Sequence, residues 1–119
     1  MTERYNYEEF IKGKIVKTYT IEKDDKLYIT FESESKKLEL CAIGDCCSHS
    51  WFEFPEILQD LINEEITEIE EQWEEEERYS DLKTYKFNFV CKSGKKINFI
   101  LKNSSNGYYS GWIDIEVIE

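Results

Sequence analysis

From Lys14 onward, apolar and polar side chains alternate with a period of two, the spacing of a half-buried strand. Ile15, Lys17, Tyr19 and Ile21 oppose Val16, Thr18 and Thr20, a run rich in β-branched and aromatic residues. Lys23 to Lys26 reads as a turn. Leu27, Ile29 and Phe31 then share one face, against Tyr28, Thr30 and Glu32. After a second turn at Ser33 to Lys36, a third strand over Lys37 to Ile43 sets Leu38, Leu40 and Ala42 on one side. These three segments predict an antiparallel meander. Ahead of it, Asn6 to Lys12 predicts a short helical turn closed by Gly13.

Pro55 suits the first turn of a helix, where its missing N–H is no loss. Ile57, Leu58, Leu61 and Ile62 follow at helical spacing. Beyond them the pattern has two readings. Ile62, Ile66, Ile69 and Trp73 continue an amphipathic helix, or the same segment is an edge strand guarded by its glutamates. Glu74 to Glu77 is a charge block and Arg78 to Asp81 a loop. Alternation then resumes. Tyr85, Phe87, Phe89 and Cys91 share a face, Ser93-Gly94 turns the chain, and Ile97, Phe99 and Leu101 return. A last strand sets Trp112, Asp114 and Glu116 against Ile113, Ile115 and Val117. The expected architecture is α+β: one domain over residues 1–119, with a single antiparallel sheet of about six strands and one helix inserted midway.

Charge narrows the partners. The 119 residues carry a formal net charge of -11, with no lysine or arginine stripe to offset it. Duplex DNA or RNA is therefore disfavoured, whereas a small nucleotide needs only a few local donors. No apolar run approaches the ~18 residues of a membrane span. The start of the chain lacks the apolar core of a signal peptide, so a cytoplasmic location with reduced thiols is expected.

Two stretches carry more chemistry than their surroundings. The first, Gly44 to Phe54, holds Asp45, Cys46, Cys47, Ser48, His49, Ser50 and Trp51. Adjacent cysteines diverge on an extended backbone, and Cys41 and Cys91 stand at no zinc-knuckle spacing, so a tetrahedral metal site is disfavoured. Asp45, a cysteine and His49 are the residue types of a nucleophilic triad. Side chains two or three apart align poorly for one, however, and the chain has a single histidine. No metal, cofactor or catalytic set is expected. The second stretch, Ser104 to Trp112, is built on the turn former Asn106-Gly107. A plain hairpin turn would account for it. It also gathers Ser105, Asn106, Tyr108, Tyr109, Ser110 and Trp112, whose aromatic planes, hydroxyls and amides suit a base or sugar.

In this order and spacing the two stretches resemble a family of small uncharacterised phage and prophage proteins. There an Asp-Cys-Cys element precedes a helix, and a Ser-Asn-Gly-Tyr-Tyr-Ser element precedes the last strand. The resemblance covers roughly Gly13 to Val117. It rests on Asp45, Cys46, Cys47 and Ser50, and on Ser105, Asn106, Gly107, Tyr108, Tyr109 and Ser110. The family tends to carry Glu where Ser48 stands and no histidine at position 49. It also carries Gly-Ser-Pro where this chain has Asn63-Glu64-Glu65, which implies a helix ending near Asn63 and a strand after it. No activity comes with the resemblance. Its setting implies action on host proteins or host signalling molecules.

The leading expectation is a non-enzymatic, homo-oligomeric binding protein for a small polar ligand, such as a nucleotide-derived defence signal. Asp45, Ser48, Ser50 and Trp51 would form one side of its pocket, and Ser105, Asn106, Tyr108, Tyr109, Ser110 and Trp112 the other. Two further readings are an acidic protein-interaction module using Glu64 to Glu77, and a zinc- or cysteine-dependent hydrolase.

Overall fold

A computed structural model describes residues 6–45, 48–54, 56–76, 82–104 and 111–119. It contains a short helix α1 (Tyr7–Ile11), strands β1 (Val16–Glu22), β2 (Lys26–Phe31), β3 (Lys37–Gly44) and β4 (His49–Glu53), and a 3-10 helix at Glu56–Leu61. Strands β5 (Ile66–Glu76), β6 (Leu82–Cys91), β7 (Lys96–Ser104) and β8 (Gly111–Ile118) complete it. The strands form two four-stranded antiparallel sheets, ordered β1-β2-β3-β8 and β4-β7-β6-β5. The single six-stranded α+β sheet with an inserted helix is thus corrected to a mostly β, two-sheet architecture. The reason lies in two connections. β3 passes into β4 and β7 into β8, and each of these changes sheets, so the last strand pairs with β3 rather than with its hairpin neighbour β7.

The meander stands as expected, with Leu27, Ile29, Phe31, Leu38 and Leu40 buried on the inner face. In β1 a register shift between Val16 and Thr18 breaks strict alternation, so Val16 and Tyr19 both pack inward. The same device resolves the ambiguous segment. β5 is a strand, and a bulge between Ile66 and Glu68 lets Ile66 and Ile69, three residues apart, share the inner face. A helical spacing was counterfeited by a bulge. The inserted helix shrinks to a 3-10 helix of 6 residues, in which Leu58 and Leu61 are buried at the i, i+3 spacing of that helix. Asn63, at φ 73°, ends it.

The core is the space between the sheets. Phe99 lies at its centre, with ring centroids of Phe89 at 4.6 Å, Phe87 at 5.4 Å, and Phe52 and Phe54 at 5.9 Å. Fully burying a side chain of this size contributes about 2–3 kcal/mol. The sheets are also joined away from the crossing connections. Ile15 bridges Glu65, Val16 N–H donates to the Glu64 carbonyl at 2.9 Å, and Asn63 N–H donates to the Val16 carbonyl at 2.9 Å. α1 is capped by Asn6, whose Oδ1 accepts from Glu8 N–H at 3.0 Å. It packs against both β5 and β8 and closes one end of the cleft between them. No described helix is long and apolar enough to cross a membrane.

Candidate functional site

The two chemistry-rich stretches meet at the corner where the chain changes sheets. Gly44 stands opposite Gly111 in the β3–β8 ladder, while His49 and Ser50 stand opposite Ser104 and Asn103 in the β4–β7 ladder. Ser105, Asn106, Tyr108, Tyr109 and Ser110 lie outside the described residues, as do Cys46 and Cys47. Their flanks are described, and they interlock through one buried amide.

Asn103 continues the inward parity of Ile97, Phe99 and Leu101 and is fully buried. Its Nδ2 donates to Ser50 Oγ at 2.8 Å and to Ser48 Oγ at 3.1 Å. Both hydroxyls spend their own hydrogens elsewhere. Ser50 Oγ donates to the Ile43 carbonyl at 2.9 Å, and Ser48 Oγ to the Asp45 carbonyl at 2.7 Å. Each serine oxygen can therefore only accept from Asn103, which fixes the direction of the amide. Among the described residues no donor meets Asn103 Oδ1. Gly44 and Gly111 let the four segments approach. A Cβ at Gly44 would come within 2.6 Å of Ser48 Oγ, and one at Gly111 would fall on Ser50 Oγ. The Gly111 N–H donates to Tyr85 Oη at 3.3 Å, tying the corner to β6.

Of the residues expected to bind, Ser48 and Ser50 thus serve the corner itself, and Ser48 N–H donates to the Asp45 carbonyl at 3.0 Å. Trp51 faces the opposite side of β4. It stacks on His49 at 5.3 Å and donates through Nε1 to Glu53 at 3.3 Å. Trp112 is 46% exposed. The residues that sequence reasoning passed over are Asn103, Tyr85, Gly44 and Gly111. The available signal was a polar residue at a core-parity position, Asn103, immediately before the second motif.

Beside the corner the two sheets part. β8 ends one sheet and β5 the other, and a groove of about 250 Å³ opens between them, lined by Ile69, Glu71, Tyr85 and Phe87 and by Gly111, Trp112, Ile113 and Ile115 of β8. Glu71 pairs with Phe87 across the β5–β6 ladder, so a carboxylate sits on the inner face of an edge strand. At the closed end, burial first, then the charges of Glu8 and Glu68, raise the Tyr7 phenol above its ordinary value.

The described thiols are not activated. Burial, with the Glu39 carboxylate next to it, pushes Cys41 up to about 11, and burial raises Cys91 as well. They stand in different sheets, and among the described residues no group of three or more His, Cys, Asp or Glu is placed to hold a metal.

The family model described as Domain of unknown function (DUF7448) matches residues 8–115. The chain belongs to this family. It is similar to "Uncharacterized protein L278" of Acanthamoeba polyphaga mimivirus, 33% identical over 114 residues that cover 89% of each chain. No solved structure matches. The DUF7448 match takes in both stretches, the corner that joins them and the cleft between β5 and β8.

Proposed function

We propose that the chain is a non-enzymatic binding protein that engages a basic segment of a partner protein through the cleft between β5 and β8. The observation that carries this reading is a groove between two strand edges that, among the described residues, pair with no further strand, lined mainly by aliphatic and aromatic residues with Glu71 as the one charged lining residue. Glu68 and Glu116 add charge on the bordering strands, in a chain of net charge -11. An acidic rim around apolar floor recognises lysine or arginine flanked by apolar residues, and steers them in by long-range attraction. The mimivirus relative supports a viral setting, in which the partner is a host protein. The test is an array of ten-residue segments, basic, neutral and acidic, probed with the labelled chain at two salt concentrations. Basic segments bind, more weakly at high salt, and the Glu68→Gln/Glu71→Gln/Glu116→Gln variant loses them while keeping its melting temperature. Equal binding by that variant sinks the reading.

A second reading is favoured by Trp112, half exposed at the lip of a groove that also presents the Tyr85 and Phe87 rings. These surfaces suit the ring of a small ligand such as a nucleotide-derived signal, with its phosphates kept away from Glu71. Incubation with cyclic dinucleotides, followed by heating and recovery of intact ligand, separates this reading from the first. Trp112→Ala abolishes such capture, whereas the Glu68→Gln/Glu71→Gln/Glu116→Gln variant, which loses basic segments, keeps it.

A further inference from the structure

We infer that β8 is a docking strand: an extended partner segment, with lysine or arginine alternating with apolar residues, adds to the free edge of the β1-β2-β3-β8 sheet. This rests on the interaction reading and specifies how the partner is held. The backbone of β8 supports it at two points. Ala42 N–H donates to the Asp25 carbonyl at 2.8 Å, away from β8, so Ala42 and Ile113 face each other without exchanging hydrogen bonds. Gly111 N–H likewise turns from β3 to Tyr85 Oη. The β3–β8 ladder runs from Gly44↔Gly111 to Lys37↔Ile118 with no register shift. The two-residue period then directs the N–H and C=O groups of Ile113, Ile115 and Val117 out of the sheet. Among the described residues no strand lies beyond them.

Side chains specify the occupant. Ile113, Ile115 and Val117 are only partly buried against the core, and the groove beside them is floored by Ile69 and Phe87. Alternate residues of an added strand would drop into this groove. The residues between would stand on the outer face, in line with Asp114 and Glu116 of β8, where a cation is favoured over an anion. That same outer face argues against a second copy of this chain. Two β8 strands paired antiparallel would bring the carboxylates of Asp114 and Glu116 against their own counterparts.

Four synthetic octapeptides test the inference on the intact protein: alternating Lys and Val, alternating Glu and Val, and two Lys-Val peptides N-methylated at every second amide, one in each register. The Lys-Val peptide is expected to bind at least tenfold more tightly than Glu-Val. N-methylation in the register that faces β8 weakens it at least tenfold. Amide exchange of Ile113, Ile115 and Val117 slows on binding. Glu71→Lys/Glu116→Lys weakens it to the same degree without lowering the melting temperature, which controls for misfolding. Equal binding of the N-methylated peptides in both registers overturns strand addition. Basic array segments that bind without protecting those three amides overturn it too, while the interaction reading stands. If no basic segment binds, both fall. A dimer by sedimentation, with the same amides protected in the absence of peptide, replaces the proposed occupant with a second copy.

Discussion

A methyl group at position 111 is the sharpest probe of the interlocked corner. Gly111 is not in the left-handed region, so its backbone accepts alanine and any effect is collision alone. The added Cβ would fall on Ser50 Oγ, 3.1 Å from Asn103 Cβ and 3.1 Å from the Ile43 carbonyl oxygen. Ser50 is 5% exposed and cannot swing into solvent. Rotating it would break its bonds to Ile43 and Asn103, a loss of about 1–2 kcal/mol. Holding it in place would push β3 and β8 apart, an overpacking cost of about 1–3 kcal/mol. Either way Gly111→Ala should destabilise by about 2 kcal/mol. At about 4 °C per kcal/mol for a chain of this size, the melting temperature falls by about 8 °C. Ser50→Ala removes the struck atom and by itself costs about 1–2 kcal/mol. In that background Gly111→Ala should cost less than about 1 kcal/mol, a coupling of about 1.5 kcal/mol between the two sites. Urea unfolding followed by tryptophan fluorescence measures all four proteins. Strict additivity would refute the account of the corner.

Phe99→Ala, at the centre of the aromatic core, should cost about 3–5 kcal/mol in the same assay, and Phe99→Leu much less. Asn88 is buried on the outer face of β6 and donates to Glu70 and Gln72 at 3.1 Å each, so Asn88→Ala should lose about 1–2 kcal/mol; a neutral result would show that β5 is not held there. Stability should also fall in alkali. The folded state keeps Cys41 protonated up to about 11 against an ordinary value of 9.0, so it holds more protons than the unfolded chain between these limits. The stabilisation is whole below pH 9 and disappears as pH rises to about 11. Cys41→Ser should flatten that part of the curve. For the same reason Cys41 should react with iodoacetamide at pH 8 more slowly than an unfolded thiol, read by mass spectrometry in a Cys46→Ser/Cys47→Ser background.

Much of the sheet was legible because half-buried strands write their parity into the sequence. Leu27, Ile29 and Phe31, or Ile97, Phe99 and Leu101, show one inward face at a glance. Parity fails where a bulge inserts a residue. Ile66 and Ile69 both point inward, and their three-residue spacing reads as helix. β4 was hidden differently. Ser50 and Phe52 alternate inward against His49, Trp51 and Glu53, but two of its residues are polar and chemically conspicuous, so the segment suggested a site before it suggested a strand. The choice of two sheets over one is not local at all. It depends on β8 pairing with β3 across more than half the chain. The candidate site divides along the same line. Adjacency of the two stretches was foreseeable as a pair of motifs, whereas the role of Asn103 needed the partners that only the fold supplies.

The cleft between β5 and β8 as a seat for an extended basic segment is the central claim, and residue-resolved amide exchange with and without the Lys-Val octapeptide tests it most directly. The account predicts slowed exchange at Ile113, Ile115 and Val117, with Trp112, whose N–H faces β3, unchanged. Uniform protection, protection confined to the β1–β2 hairpin, or none at all would contradict it.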